Sequence, residues 1–263
     1  MAFLRCARWP VRLALLPLAG ACLPALALQP LVTDDTGTQG AGAQQIELSL
    51  SRTASRSGPS RSVASALAPT YTYGVVDALD VYASQPFLHN RSEGLGTSGW
   101  GNAAIGAKWR FYENEGTGTS LGIKPELQAQ VGEGREGRGL GTGRTSGQLS
   151  LLASQQLPFG ALHLNYAWGR QRMRDPEATA TGRRLSAALV WKLDDAWSLV
   201  GDLGVQRLHD RGGQRQRSGF AELGIIHALS PQWDIALGVI GSRDRATPAN
   251  RATTGTVGLT GRF

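Results

Sequence analysis

Past its first 27 residues this chain has no cysteine; both, Cys6 and Cys22, lie in that opening stretch. A disulfide framework and a thiolate metal site are thereby excluded from the remainder. Nor does any uninterrupted apolar run of about 18 residues follow, so no membrane helix is on offer. Residues 1–27 contain no Asp or Glu, while Arg5, Arg8 and Arg12 precede LALLPLAGACLPALA, which finishes Ala25-Leu26-Ala27. A positive start, an apolar middle and a small-x-small end describe a secretory signal peptide cleaved near Ala27. A lipoprotein site at Cys22 is the lesser alternative, because Leu is missing three residues before it. Losing three arginines takes the formal net charge from +7 to +4, leaving a mildly basic exported chain of about 236 residues. Export also removes nucleic acid as a partner.

What remains is written with a period of two. WDIALGVIG sends Trp233, Ile235, Leu237 and Val239 one way and Asp234, Ala236 and Gly238 the other. WSLVGDLGV, RLSAALVWKL, ALHLNYAW and AAIGAKWRF repeat the pattern. Period two means strands, and segments of about 9–13 residues suit tilted membrane strands. Twelve are predicted, at roughly 43–52, 63–73, 79–88, 100–112, 119–131, 144–157, 161–171, 183–193, 197–209, 217–229, 232–242 and 252–263. Their connections alternate between short turns (GVVDA, ENEGTG, PFG, DDA, SP) and longer Arg- and Gly-rich loops. That alternation belongs to an outer-membrane barrel with both termini periplasmic. An all-β, closed, antiparallel transmembrane barrel of about twelve strands is therefore expected over residues 43–263, preceded by a short periplasmic segment, 28–42. Tyr73, Phe111, Phe159, Trp191, Trp197, Trp233 and Phe263 cluster beside the short turns; Trp100, Trp168 and Phe220 fall toward the long loops. Two aromatic girdles are expected, with Phe263 on the strand that pairs with the first. Pro69 and Pro125 fall inside predicted strands, where each removes a ladder donor, so bulges are expected there.

Three stretches carry a resemblance: QPLVTDDTGTQGAG, PTYTYGVVDALDVYASQPF and GWGNAAIGAKWRFYENEGTGTSLGIKPEL. They resemble the outer-membrane transporter family of the meta-pathway of phenol degradation, over about the first half of the exported chain. Gly101-Asn102 departs from that family's usual Gly-Asp pair. The resemblance implies a barrel associated with the passage of small aromatic or hydrophobic compounds.

With apolar residues facing lipid, the inward alternates include Lys108, Arg110, Lys124, Glu126, Lys192, Asp202 and Glu222. These are the candidates for the solute path, or for a paired lattice that only holds the barrel's shape. Lys108 and Arg110, opposite Lys124 and Glu126, form the densest group, whose positive excess would favour carboxylates. Arg135, Arg138, Arg172, Arg174, Arg215, Arg217, Arg243 and Arg245 fall in or beside the long loops. Guanidinium pairs phosphate bidentately, so this basic extracellular rim is expected to meet outer-membrane lipid and lipopolysaccharide. GEGREG at 132–137 matches a dinucleotide fingerprint only in letters, since no strand–helix context surrounds it. His227 has no Ser on a neighbouring strand facing the same way, so a lipid hydrolase is the least of the alternatives and no enzyme is expected. No cofactor or metal is expected either; Asp34-Asp35 reads as a turn. The sequence thus points to a Gram-negative outer-membrane channel for small hydrophobic or aromatic, weakly anionic solutes. It would be inserted by the barrel-assembly machinery. The rival reading is a non-conducting structural or lipopolysaccharide-binding barrel.

Overall fold

A computed structural model describes residues 30–245 and 249–263. The strands are β1 (Gln44–Ser57), β2 (Ser60–Val76), β3 (Leu79–Ser84), β4 (Phe87–Ser92), β5 (Leu95–Trp100), β6 (Ala104–Asn114) and β7 (Thr119–Gln128). After a single helical turn, Glu133–Glu136, come β8 (Ser146–Leu157), β9 (Gly160–Gln171), β10 (Ala180–Lys192), β11 (Trp197–Asp210), β12 (Arg215–Ala228), β13 (Trp233–Asp244) and β14 (Asn250–Arg262). All pair antiparallel in one sheet, and β1 bonds to both β2 and β14, which closes it. Backbone groups with no water beside them must be bonded within the protein, and closure achieves this. The last staple is a reciprocal pair: Gln44 N–H donates to the Phe263 carbonyl at 3.0 Å, and Phe263 N–H to the Gln44 carbonyl at 2.9 Å.

The expected twelve-stave wall is present, with two extra strands. β3 and β4 lie along β2 one after the other, against residues 70–76 and 62–67. β5 and β6 return beside them. Each stave breaks once, at Gln85–Pro86 and at residues 101–103. Proline has no N–H to give the ladder, and the Pro86 carbonyl instead accepts from Gly101 N–H at 2.8 Å.

Two expected loops are strand. Residues 53–62 and 89–99 are the tips of hairpins that turn tightly at Gly58-Pro59 and at Glu93-Gly94. Glu93 and Gly94 have φ of 50° and 85°, the left-handed pair that suits a right-twisted hairpin. Polar side chains on both faces erase the hydrophobic alternation here although the pairing continues.

The expected bulges are not at the prolines. Pro69 stays in register opposite Leu48 and, on its other side, faces the Gln85–Pro86 break, where no donor is required. Pro125 stays in register opposite Leu149, and its β6 ladder is interrupted without a shift. The shifts fall at 74–76 and 110–112.

Large apolar side chains stand on the outside: Leu203 is 63%, Leu223 70% and Val239 58% exposed. Such a continuous exposed band is the signature of a wall facing hydrocarbon. Its short-turn edge is ringed by edge-to-face pairs, Trp109–Phe111, Phe159–Trp191 and Trp233–Phe263, with centroids 5.9, 6.1 and 5.8 Å apart. Phe87 and Trp100 make a similar pair nearer the long loops, at 5.2 Å. Phe220 does not join a girdle. It sits opposite Gly204 on the lumen side, where a Cβ on that glycine would meet its ring.

Replacing Phe263 by Ala removes the Trp233 contact and should cost about 0.5–1.5 kcal/mol beyond lost area. Urea midpoints of refolded barrels in lipid vesicles check this. An unchanged midpoint would show that the ring does not help hold the seam.

Candidate lumen site

Residues 30–42, the described part of the segment expected before the barrel, lie inside it. From Ala43 at the short-turn end the chain runs backward into the lumen and crosses it as a strap. Gly40 and Gly42, at φ of 87° and 79°, make the entering turn. Gly74 permits it, since a Cβ there would lie 1.8 Å from the Gly40 carbonyl oxygen.

Next come contacts with the β2–β3 turn and β3. Ala41 N–H donates to Asp77 Oδ1 at 3.0 Å, Thr38 Oγ1 to the Asp77 carbonyl at 2.7 Å, and Gln39 N–H to Asp80 at 3.1 Å. Thr36 N–H donates to Ser154 Oγ at 3.1 Å, and that hydroxyl also bonds His163 Nδ1 at 2.8 Å.

At the centre stands Asp34, 2% exposed. Lys108 Nζ is 2.9 Å from its Oδ1, and Lys124 Nζ 2.6 Å from its Oδ2. Lys108 also reaches Asp35 Oδ1 at 3.0 Å. On the far side Val32 and Thr33 N–H both donate to Asp202 Oδ2, at 2.9 and 2.6 Å, and Thr33 Oγ1 donates to Asp202 Oδ1 at 2.8 Å. Leu31 then packs on Ala188, Val190 and Val200.

Burial alone would raise the Asp34 pKa, but the Lys108 and Lys124 ammonium groups overcome that and hold it below the ordinary aspartate range. Asp35 makes a local side-chain turn, with Gly37 N–H donating to its Oδ1 at 2.9 Å, whereas Asp34 is committed to the two lysines.

Of the predicted path residues, Lys108, Lys124 and Asp202 all grip the strap. Glu126 accepts from Tyr82 Oη at 3.0 Å and from Gln128 Nε2 at 2.9 Å, while Lys124 Nζ sits 4.8 Å from the Tyr82 ring centroid. Glu222 faces Asp202 across the ladder, buried, with no hydrogen-bond partner among the described residues for either carboxylate oxygen. Arg110 is not part of this group; it pairs with Glu113 at 3.2 Å toward the short turns. Lys192 is exposed at the short-turn mouth. The place expected for a solute carboxylate is filled by the strap's own.

Sequence reasoning missed Thr33, Thr36, Tyr82, Ser154, His163 and Ser186 at this site. Their signal is only position: each strand residue among them is an inward alternate beside charge. The strap's TDDTGT was the stronger signal, being too polar for the hydrocarbon-facing wall.

The rim divides in two. Arg135, Arg138 and Arg174 fasten the segment after β7: Arg174 Nε is 3.0 Å from Glu136 Oε2, Arg135 Nη1 3.3 Å from the Trp100 carbonyl, and Arg138 Nε 3.0 Å from the Gly134 carbonyl. Arg172 lies alongside, its N–H on Ser146 Oγ at 2.9 Å. Asn102 pins the same segment, accepting from Thr142 N–H at 2.8 Å while its amide nitrogen donates to the Thr142 carbonyl at 3.1 Å. A carboxylate could not donate, which gives the Gly101-Asn102 departure a structural sense. Arg215, Arg217, Arg243 and Arg245 are exposed on the outer side of β12 and β13 or just past them. His227 stacks on Trp197 at 3.9 Å, with Nδ1 3.3 Å from the Ala196 carbonyl.

Changing Asp34 to Ala breaks both of its buried ion pairs, while Asp35 stays beside Lys108, and should cost about 3–5 kcal/mol. The triple change of Asp34→Ala with Lys108→Met and Lys124→Met should recover most of it. Denaturant midpoints of the set decide, and equal losses in both would show that the charges are not coupled. Because the Asp34 pKa is depressed, its contribution is complete above the ordinary aspartate pKa and fades only as pH falls through the lower value in the folded protein. Strap protection from amide exchange should therefore match at pH 7 and pH 5. Loss already at pH 5 would contradict the pairing.

An outer-membrane channel from Pseudomonas putida F1 is similar in fold, at 16% identity and a TM-score of 0.68, covering 87% of this chain and 98% of that one. The NanC porin is similar at 6% identity and a TM-score of 0.54, covering 81% and 98%. No curated protein matches the sequence. With the barrel, its outward apolar band and its strap in view, the match across residues 29–260 is decisive: the chain belongs to the family described as "Putative MetA-pathway of phenol degradation".

Proposed function

We propose that this barrel is a Gram-negative outer-membrane channel for small hydrophobic or aromatic solutes, with the strap as its constriction. One observation carries the reading: the lumen is spanned by a single segment held through hydrogen bonds and ion pairs, rather than filled by a packed apolar core. A wall that needed only to stand would gain more from apolar filling, because buried charges repay their desolvation poorly. Family membership and the fold shared with a known outer-membrane channel and a porin support it.

The strap narrows the choice of solute. Its carboxylates already neutralise Lys108 and Lys124, so an anion gains little there unless it displaces Asp34. Neutral or weakly acidic aromatics need no such displacement of charge, but Ser154 and Ser186 of the lumen wall are buried against the strap, so their passage requires the strap to give way. The same strap favours one other reading, a barrel closed for structural purposes, in which Asp34 and its lysines act only as a plug.

Liposome swelling separates the two. Phenol and benzoate should enter faster than sugars of similar mass through the intact protein, and removal of residues 30–39 should speed every solute and weaken the preference. Uptake no better than in empty liposomes, before and after that deletion, would leave the channel reading without support.

A further inference from the structure

We infer that the outer wall binds the phosphorylated glycolipid of the outer leaflet, the lipid A portion of lipopolysaccharide, through a tier of strand-borne arginines above a glycine-lined recess. The inference rests on the outer-membrane reading above.

The tier follows from register. Arg61 lies directly opposite Arg56, Arg56 opposite Arg251, and Arg251 opposite Arg243. A step further round, Arg217 lies opposite Arg207, and Arg207 opposite Arg183. All seven are exposed and alternate with the lumen-facing positions, so all point away from the lumen. Among the described residues none of the seven takes part in an ion pair. Like charges directly opposed across a ladder repel. A wall that repeats such a contact round half its circumference is electrostatically incomplete without an anion.

Height says which anion. Ten residues separate Trp197 from Arg207, and Trp233 from Arg243, along single strands with apolar or glycine residues on the same face between them. At about 3.3 Å per residue and a tilt of about 40°, that is roughly 25 Å, the height of the hydrocarbon band. With the aromatic ring at one lipid interface, the guanidinium tier stands at the other, level with head-group phosphates.

A second observation lies just below. A shallow hollow of about 580 Å³ in the wall is lined by the outward Gly219, Ala221, Gly241 and Thr253 together with Gly204 and Phe220 of the lumen side, and is bordered by Arg243 and Arg251. A Cβ built on Gly241 or Gly255 would meet nothing within 4 Å, so the hollow comes from missing side chains on the lipid side. An apolar hollow beneath two guanidinium groups matches an acyl chain beneath a phosphate. Guanidinium binds phosphate through two parallel hydrogen bonds. Lipid A offers several such chains and two phosphates on one rigid sugar frame, which meets a row of registered arginines better than a phospholipid with one charge.

The test uses the full exported protein purified in detergent and titrated separately with purified lipid A, phosphatidylglycerol and inorganic phosphate. Retention is read by native mass spectrometry, and unfolding by heat-shifted gel mobility. Lipid A should be retained and should raise the unfolding temperature. The combined variant Arg56→Gln, Arg243→Gln and Arg251→Gln should bind lipid A at least about tenfold more weakly, equivalent to roughly 1.4 kcal/mol. Without lipid its unfolding temperature should equal or exceed that of the parent, because repulsion has been removed. Gly241→Leu, which fills the hollow without disturbing the arginines, should weaken lipid A binding independently. Equal lipid A retention by the parent and both variants would overturn the inference. So would phosphatidylglycerol or inorganic phosphate protecting as well as lipid A does. If the barrel is found in the outer membrane yet ignores lipid A, this inference alone fails; if it is absent from that membrane, the reading beneath it fails as well.

Discussion

Backbone hydrogen bonding without water governs this molecule. In hydrocarbon an unpaired N–H or carbonyl costs several kcal/mol, so a sheet there can have no edge. The register of β1 with β14 over thirteen residue pairs removes that edge. Much else follows from closure. Side chains must alternate between lipid and lumen, polar groups are driven inward, and the chain start can enter only where the wall leaves it a mouth. Even the departures obey the rule: each proline inside a strand sits where a neighbouring ladder is already interrupted.

Closure creates an interior that twelve staves do not fill by themselves, and the strap shows how this chain resolves it. Asp34 is taken out of water between Lys108 and Lys124, a cost repaid only because both carboxylate oxygens meet an ammonium group. Asp202 is used in another way, gathering two backbone N–H groups and a hydroxyl. One carboxylate on the strap and one on the wall thus fasten the segment at two points. Glu222, beside Asp202, is one of several buried polar groups left without a hydrogen-bond partner among the described residues.

What could be read from the sequence follows the same physics. Wherever lipid bathes one face and the lumen the other, hydrophobicity alternates, and strands such as Trp233–Asp244 were found nearly to the residue. Beyond the hydrocarbon, as at residues 53–62, polar side chains stand on both faces, so the alternation vanishes while the hydrogen bonds persist and the sequence reads as loop. Inward charges at Lys108, Lys124, Asp202 and Glu222 followed from parity alone. The partner of the two lysines did not, because Asp34 lies 74 and 90 positions from them in a segment with no periodicity. Arg110 and Lys192 have inward parity too but sit near a mouth, and parity carries no information about height. The registered arginines were legible only in part: their exposure follows from alternation, but their mutual opposition depends on pairing offsets that no single strand reveals.

The central claim is that hydrocarbon covers the outer band, and the tryptophans report on it directly. Trp109, Trp191, Trp197 and Trp233 stand on the outside near one edge of the apolar band. In vesicles whose acyl chains carry bromine at known depths, fluorescence should be quenched best by bromine near the head groups, with aqueous iodide having little effect. Strong quenching by iodide, with none by any brominated lipid, would place the wall in water and contradict the account.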